Sequence, residues 1–215
     1  MIETLLYVCS SNPGKLREFR AAALPEELLQ NRLRIEALPL LEQIPAPAET
    51  GASFLENASL KARFYSGFTS ELVFADDSGL AVEALGGAPG VLSARFAGED
   101  ATDEANNDLL LRRMAEITER TAFFECVIAL ARARQVLRTF KGSVRGQILR
   151  EPSLGAHGFG YDPLFFYPPF HKSFAELETQ EKWKVSHRGE AFRQMLNHLS
   201  QQNISVMGAD NSVDY

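Results

Sequence analysis

A chain of 215 residues, 45% hydrophobic and 23% charged, is long enough to bury a substantial core as one large domain or two small lobes. Its formal net charge of −6 argues against a protein that wraps the nucleic-acid backbone, so no nucleic-acid partner is expected, although small anionic ligands answer to local charge and stay open. The two cysteines, Cys9 and Cys126, each sit in an apolar run and read as buried free thiols of a reducing compartment.

Residues 4–9 read as a buried strand whose "LLYVC" is too short for a secretory signal. A helix over 13–24 follows, with Asn12 as cap, Pro13 at the first position and Leu16, Phe19 and Ala23 on its apolar face. A strand at 33–37 leads into the proline-marked loop "PLLEQIPAPAETG". Ser53-x-x-Glu56 opens a helix to about Gly67. "LVFADDSGL" reads as a short strand ending in a carboxylate-rich turn, and "GGAPGVLSARFAGED" as loop. Thr102 caps a helix to about Ile117. Residues 121–133 and 136–146 read as a hairpin, with the alternating arginines of "ALARARQ" on one wet face. The run "AFFECVIALA" within it is too short for a bilayer and is broken by Glu125, so no membrane partner and a cytoplasmic location are expected. "HGFGYDPLFFYPPF" is a loop carrying a short strand. Ser186 starts a last helix that runs to about Gln201, with Phe192, Met195, Leu196 and Leu199 buried. The expected class is α/β with a mixed sheet.

Five stretches carry possible chemistry. In "SSNPGK" a tight turn meets a helix N-terminus, whose amides suit an anion, and Gly14 leaves room for it. Lys15 there is a cation at a positive helix end, unfavourable without a ligand, so its loss is expected to leave the free protein no less stable. The phosphate-loop pattern itself fails at Cys9 and Leu16, and a solvated lysine on an ordinary turn reads equally well. In "ADDSGL" the adjacent aspartates suit Mg2+, but alone an Asx turn explains them better. In "ENASLKA" Asn57 and Lys61 share one helix face, which is either solvated or a phosphate contact. In "HGFGYDP" Phe159 and Tyr161 offer rings for a base, or simply an aromatic turn. In "EKWKVSHRGEAF" His187 and Arg188 fall in a helix's first turn, a second cation at a positive end.

Together these stretches, with "ETGASFLENASLKA", "ADDSGLAVEALGGAPGVLSARFAGEDATD" and "AELETQEK", resemble the inosine/xanthosine triphosphate pyrophosphatase family. The match keeps the family's motif order from about residue 4 to 200. It implies a two-lobed α/β mixed-sheet fold with the nucleotide in the cleft, a single domain over 1–200 with a flexible 201–215 tail, and a homodimer. The implied reaction is Mg2+-dependent hydrolysis of a non-standard purine nucleoside triphosphate to monophosphate and pyrophosphate. Carried over by position, Ser10, Ser11, Asn12, Pro13, Gly14 and Lys15 hold phosphates, helped by Lys61 with Asn57 beside it. Glu49 and Asp77 hold the metal with Asp76 in support, and Asp77 is also the general base, so that Asp77, Lys15 and Lys61 form the catalytic group. Ser78 touches substrate. Phe159, Gly160, Tyr161, Asp162, Lys182, His187 and Arg188 line the base pocket, where N–H groups of His187 and Arg188 would donate to the 6-oxygen of hypoxanthine or xanthine and oppose the amino group of adenine. Leu92, His157 and Trp183 depart from the family's pattern, and the last two are expected to flank the base pocket. Alternatives are a related pyrophosphatase for other modified nucleotides and a nucleotide-binding regulator without catalysis; the retained Glu49 and Asp77 speak against the latter.

Overall fold

The computed structural model describes residues 4–22 and 33–209. Ala23, the expected end of the first helix at 24 and residues 210–215 of the expected tail lie outside them. The strands β1 (Thr4–Val8), β2 (Leu33–Ala37), β3 (Leu72–Val82), β4 (Thr121–Arg132), β5 (Gln135–Ile148), β6 (Phe165–Tyr167) and β7 (Lys172–Ser173) form one sheet in the order β2-β1-β3-β4-β5-β6-β7. β1 pairs parallel with β2 and β3, and every later pairing is antiparallel, which makes the sheet mixed. The helices are α1 (Pro13–Ala22), α2 (Phe54–Tyr65), α3 (Asp103–Arg113), α4 (Thr179–Val185) and α5 (His187–Ala209).

Alternation along β3 organises the core. Even-numbered Phe74 packs on Phe19 of α1 and Phe192 of α5, while odd-numbered Val73 and Ala75 pack on Ala58 and Ala62 of α2. Farther along, Leu80 and Val82 enter a second cluster with Leu110 of α3, Met114 just past its end, and Phe124, Phe165 and Phe174. β3 and β4 therefore run through both lobes, and residues 76–79 lie at the junction.

The carboxylates are not in a turn. β3 continues through them, with Asp76 opposite Ile128, Asp77 opposite Val127 and Ser78 opposite Cys126. Aspartate disfavours strands, but here the ladder is complete and buried cations meet both side chains, so tertiary context overrides propensity. The wet face expected for "ALARARQ" is also absent: β4 is buried on both faces from Ile128 to Ala131. Its arginines belong to the hairpin end, where Ala133 and Arg134 take φ of 49° and 63°. The sequence reading missed α4, whose signal was reciprocal capping between Glu178 and Glu181. α5 starts at His187 as expected and runs beyond 201 to Ala209. α2 opens as expected, with Ser53 accepting from the Glu56 N–H. Both cysteines are free and buried, and burial raises both thiols.

Candidate active site

A cavity of about 280 Å³ lies at the junction. Of the expected site residues, Ser10, Ser11, Asn12, Lys15, Glu49, Lys61, Asp76, Asp77, Ser78, Phe159, Gly160, Tyr161, Asp162, Lys182, His187 and Arg188 line it. Pro13, Gly14 and Asn57 do not, although Asn57 donates to Asp77 from behind. Gly14 is small for a different reason than room for an anion: a side chain there would strike the Phe159 ring, 2.6 Å from the position of its Cβ.

Because successive strand residues face opposite sides, Asp76 and Asp77 part company. Asp77 turns toward α2, where Oδ1 accepts from Lys61 Nζ at 3.0 Å and Oδ2 from Asn57 Nδ2 at 3.2 Å. Glu49 Oε1 accepts from the same ammonium at 2.7 Å. Two carboxylates from distant chain segments thus close on one point. Burial raises the Asp77 carboxyl, and Lys61 and Lys15 oppose this only in part, leaving it above the ordinary aspartate range. Lys61 is pushed down by burial, but Asp77, Asp76 and Glu49 outweigh it and hold the ammonium charged. Arg95, which sequence reasoning did not single out, approaches the other Glu49 oxygen at 4.0 Å and lines the cavity.

Asp76 turns toward α1 and α5. Its Oδ2 takes Lys15 Nζ at 2.9 Å and Arg188 Nε at 3.4 Å, and its Oδ1 is buried without a partner among the described residues. Burial raises this carboxyl, but Lys15, Arg188 and Lys61 outweigh it and hold it well below the ordinary aspartate range. The expected three-carboxylate metal set is accordingly not assembled: the pleat separates Asp76 from Glu49 and Asp77, and no group of three metal-ligating side chains occurs among the described residues. Lys15 is also not a solvated cation awaiting a ligand. The buried Asp76 charge compensates it, which reverses the expectation that its loss would be harmless to the free protein.

At the base end an ion network fills the wall. Glu18 of α1 takes Lys182 Nζ at 2.6 Å and pairs with Arg188 Nη1; Lys182 also meets Asp162 at 2.5 Å, and Arg188 Nη2 donates to Ser78 Oγ at 2.7 Å. Burial works against the charge on Lys182, but Asp162 and Glu18 keep it protonated, and Arg188 and Lys182 hold Glu18 below the ordinary glutamate range against burial. Glu18 was missed by the sequence reading; its signal was a position three residues after Lys15, beside the buried Phe19. The Phe159 ring lies over this network, 5.0 Å from Lys182 Nζ and 5.6 Å from the Arg188 guanidinium carbon. His187 stacks on Phe124 with centroids 4.8 Å apart, and its Nδ1 has no partner among the described residues. Burial, with Arg188 and Lys182 nearby, holds the imidazole well below its ordinary range and so neutral.

A carboxylate pair at one end, an aromatic and ionic wall at the other and a capped helix N-terminus between them suit a nucleotide. The Ham1 family model matches residues 6–198. The chain belongs to the Ham1 family. It is 48% identical over 206 residues to a dITP/XTP pyrophosphatase of Acidobacterium capsulatum, covering 90% of this chain and 97% of that one. Among solved structures, a HAM1 protein from Coxiella burnetii aligns with a TM-score of 0.80 and 39% identity over 92% of this chain and 99% of its own. The Staphylococcus aureus Ham1 protein aligns with a TM-score of 0.79 and 36% identity over 93% and 100%. In this Ham1 chain the three departures from the family's pattern lie off the cavity. Trp183 packs edge-on against Phe19 and Phe192 in the core, His157 pairs with Glu178 at 3.3 Å, and Leu92 is half exposed. The expectation that His157 and Trp183 flank the base pocket is corrected: α4 is a helix, which turns Trp183 away from the cavity while Lys182 faces it.

Proposed function

We propose that this Ham1 protein hydrolyses deaminated purine nucleoside triphosphates (ITP, dITP and XTP) to the monophosphate and pyrophosphate. The observation that carries the reading is one cavity with Asp77 and Glu49 closing on Lys61 at one end and His187, stacked on Phe124, beside Arg188 at the other. Asp77 is the general base that takes the proton from water attacking the α-phosphorus, a role open to a carboxylate on the cavity wall. Lys15, Lys61 and the first amides of α1 hold the phosphates and offset the charge that gathers on the departing pyrophosphate. Glu49 and Asp77 fit Mg2+, a hard cation that takes one or two carboxylates together with water and phosphate oxygens. Bound there it would supply charge neutralisation to the phosphates. His187 and Arg188 read the 6-oxygen, and Phe159 stacks on the ring. A cytoplasmic homodimer belongs to the same reading: the substrates are nucleotides of the soluble pool, and the dimer is what the family resemblance implies.

Steady-state rates across a nucleotide panel test the reading. A base site whose polar groups match only the 6-oxo purines should favour ITP, dITP and XTP over ATP by about a hundredfold or more in kcat/KM. Equal values for ITP and ATP would overturn it.

A further inference from the structure

The first turns of α3, which carry none of the residues assigned above, hold one wall of the cavity. Asp103 Oδ2 accepts from the Gly160 N–H at 2.6 Å, and Asn107 Nδ2 donates to the Gly160 carbonyl at 3.0 Å. The two side chains stand one helical turn apart and grip both polar groups of one residue. That residue has φ of 61°, a conformation natural to glycine, and separates Phe159 from Tyr161. The neighbouring Asn106 binds the opposite wall: its Oδ1 accepts from the Ala97 N–H at 2.8 Å and its Nδ2 donates to the Ala94 carbonyl at 3.2 Å. The Tyr161 hydroxyl closes the circuit by donating to the Ser93 carbonyl at 2.8 Å. α3 thereby fastens loop 158–162 to segment 90–97.

Asn107 is buried, does not line the cavity, and leaves its Oδ1 without a partner among the described residues. An amide half satisfied in a core is a poor stabiliser, and Leu110 on the same side of α3, with Met114 just past its end, shows that apolar side chains suit that environment. What the amide does provide is the bond to Gly160. We propose that Asn107, with Asp103, is a positioning residue for the base end of the site, fixing Gly160 and through it the Phe159 ring; Asp103 also lines the cavity, whereas Asn107 acts without itself touching the nucleotide. The proposal rests on the reading of the cavity as a purine nucleotide site.

The experiment uses the full chain with Asn107→Ala and Asp103→Ala, singly and together, measuring ITP hydrolysis and product inhibition by inorganic pyrophosphate. Each single substitution removes one hydrogen bond to the loop and should raise KM for ITP by about tenfold, with kcat held within about twofold. The inhibition constant for pyrophosphate, which occupies only the phosphate end, should not move. Asp103→Asn keeps an acceptor for the Gly160 N–H and should restore KM. Because both side chains hold the same residue, the double substitution should cost less than the product of the singles. Unchanged KM, KM and pyrophosphate inhibition weakening together, or fully multiplicative effects would each overturn the proposal. Asp103 is exposed, so its variant decides the matter if Asn107→Ala does not fold. A wild-type protein inactive on ITP would instead overturn the functional reading, and this proposal with it.

Discussion

Lys15→Ala removes the nearer of two cations beside a carboxylate that is almost out of contact with water. The Asp76 side chain is 1% exposed, with Lys15 Nζ at 2.9 Å and Arg188 Nε at 3.4 Å. Two effects oppose each other. Taking a cation out of the first turn of α1 is favourable by about 0.3–1 kcal/mol. Breaking a buried ion pair costs about 3–5 kcal/mol, and the lower end applies because Arg188 remains as a partner. Burial of the charge wins, by about 2 kcal/mol, which in a chain of this size lowers Tm by roughly 4–8 °C. The pH dependence has a definite sign. Asp76 lies below its unfolded value in the native protein, so it contributes stability above the ordinary aspartate range and loses it as pH falls. Without Lys15 the native carboxyl climbs, takes up a proton earlier on acidification and sheds its buried charge. The gap between wild type and variant is therefore full at neutral pH and narrows toward acid. Thermal unfolding followed by circular dichroism, without ligand and over a pH series, measures both. A variant as stable as wild type at neutral pH, or a gap that widens on acidification, would refute the reasoning.

Asp77→Asn removes charge and proton-accepting ability while keeping size, and should lower turnover by about a hundredfold or more, with ITP binding by calorimetry retained. A variant that binds ITP and keeps more than about a tenth of wild-type turnover would exclude Asp77 as the base. Trp183→Ala should cost about 3–5 kcal/mol of stability, as for other buried aromatics, and leave the ITP-to-GTP ratio of kcat/KM unchanged. His157→Gly should move neither, and a changed ratio in either variant would return these residues to the base pocket.

The elements with a clear period or cap were legible: α1, α2, α3, the β4–β5 hairpin and the buried side of α5 follow from the pattern. The site was legible as a set of stretches but not as a geometry. Nothing local says that Asp76 and Asp77 continue a strand, because the cations that make burial tolerable come from α1, α2 and α5. The same long-range pairing hid Glu18, which sits among arginines in "KLREFR" and reads as a solvated helix face until Lys182 and Arg188 arrive from the far end of the chain. Lys15 and Arg188 do stand in the first turns of α1 and α5, as the pattern implies. Their first partners in the free protein are buried carboxylates, and the helix-dipole rule alone cannot supply those. Trp183 was misplaced because α4 was not seen, and a helix sets which of two adjacent side chains faces the cavity.

Hydrolysis of ITP in water enriched in heavy oxygen, with Mg2+ present, tests the proposed chemistry most directly. Attack on the α-phosphorus by water that has passed its proton to Asp77 places the label in inosine monophosphate and leaves the released pyrophosphate unlabelled. Label in pyrophosphate, or release of single phosphate in its place, would put the attack on a different phosphorus and contradict the roles given to Asp77, Lys15 and Lys61.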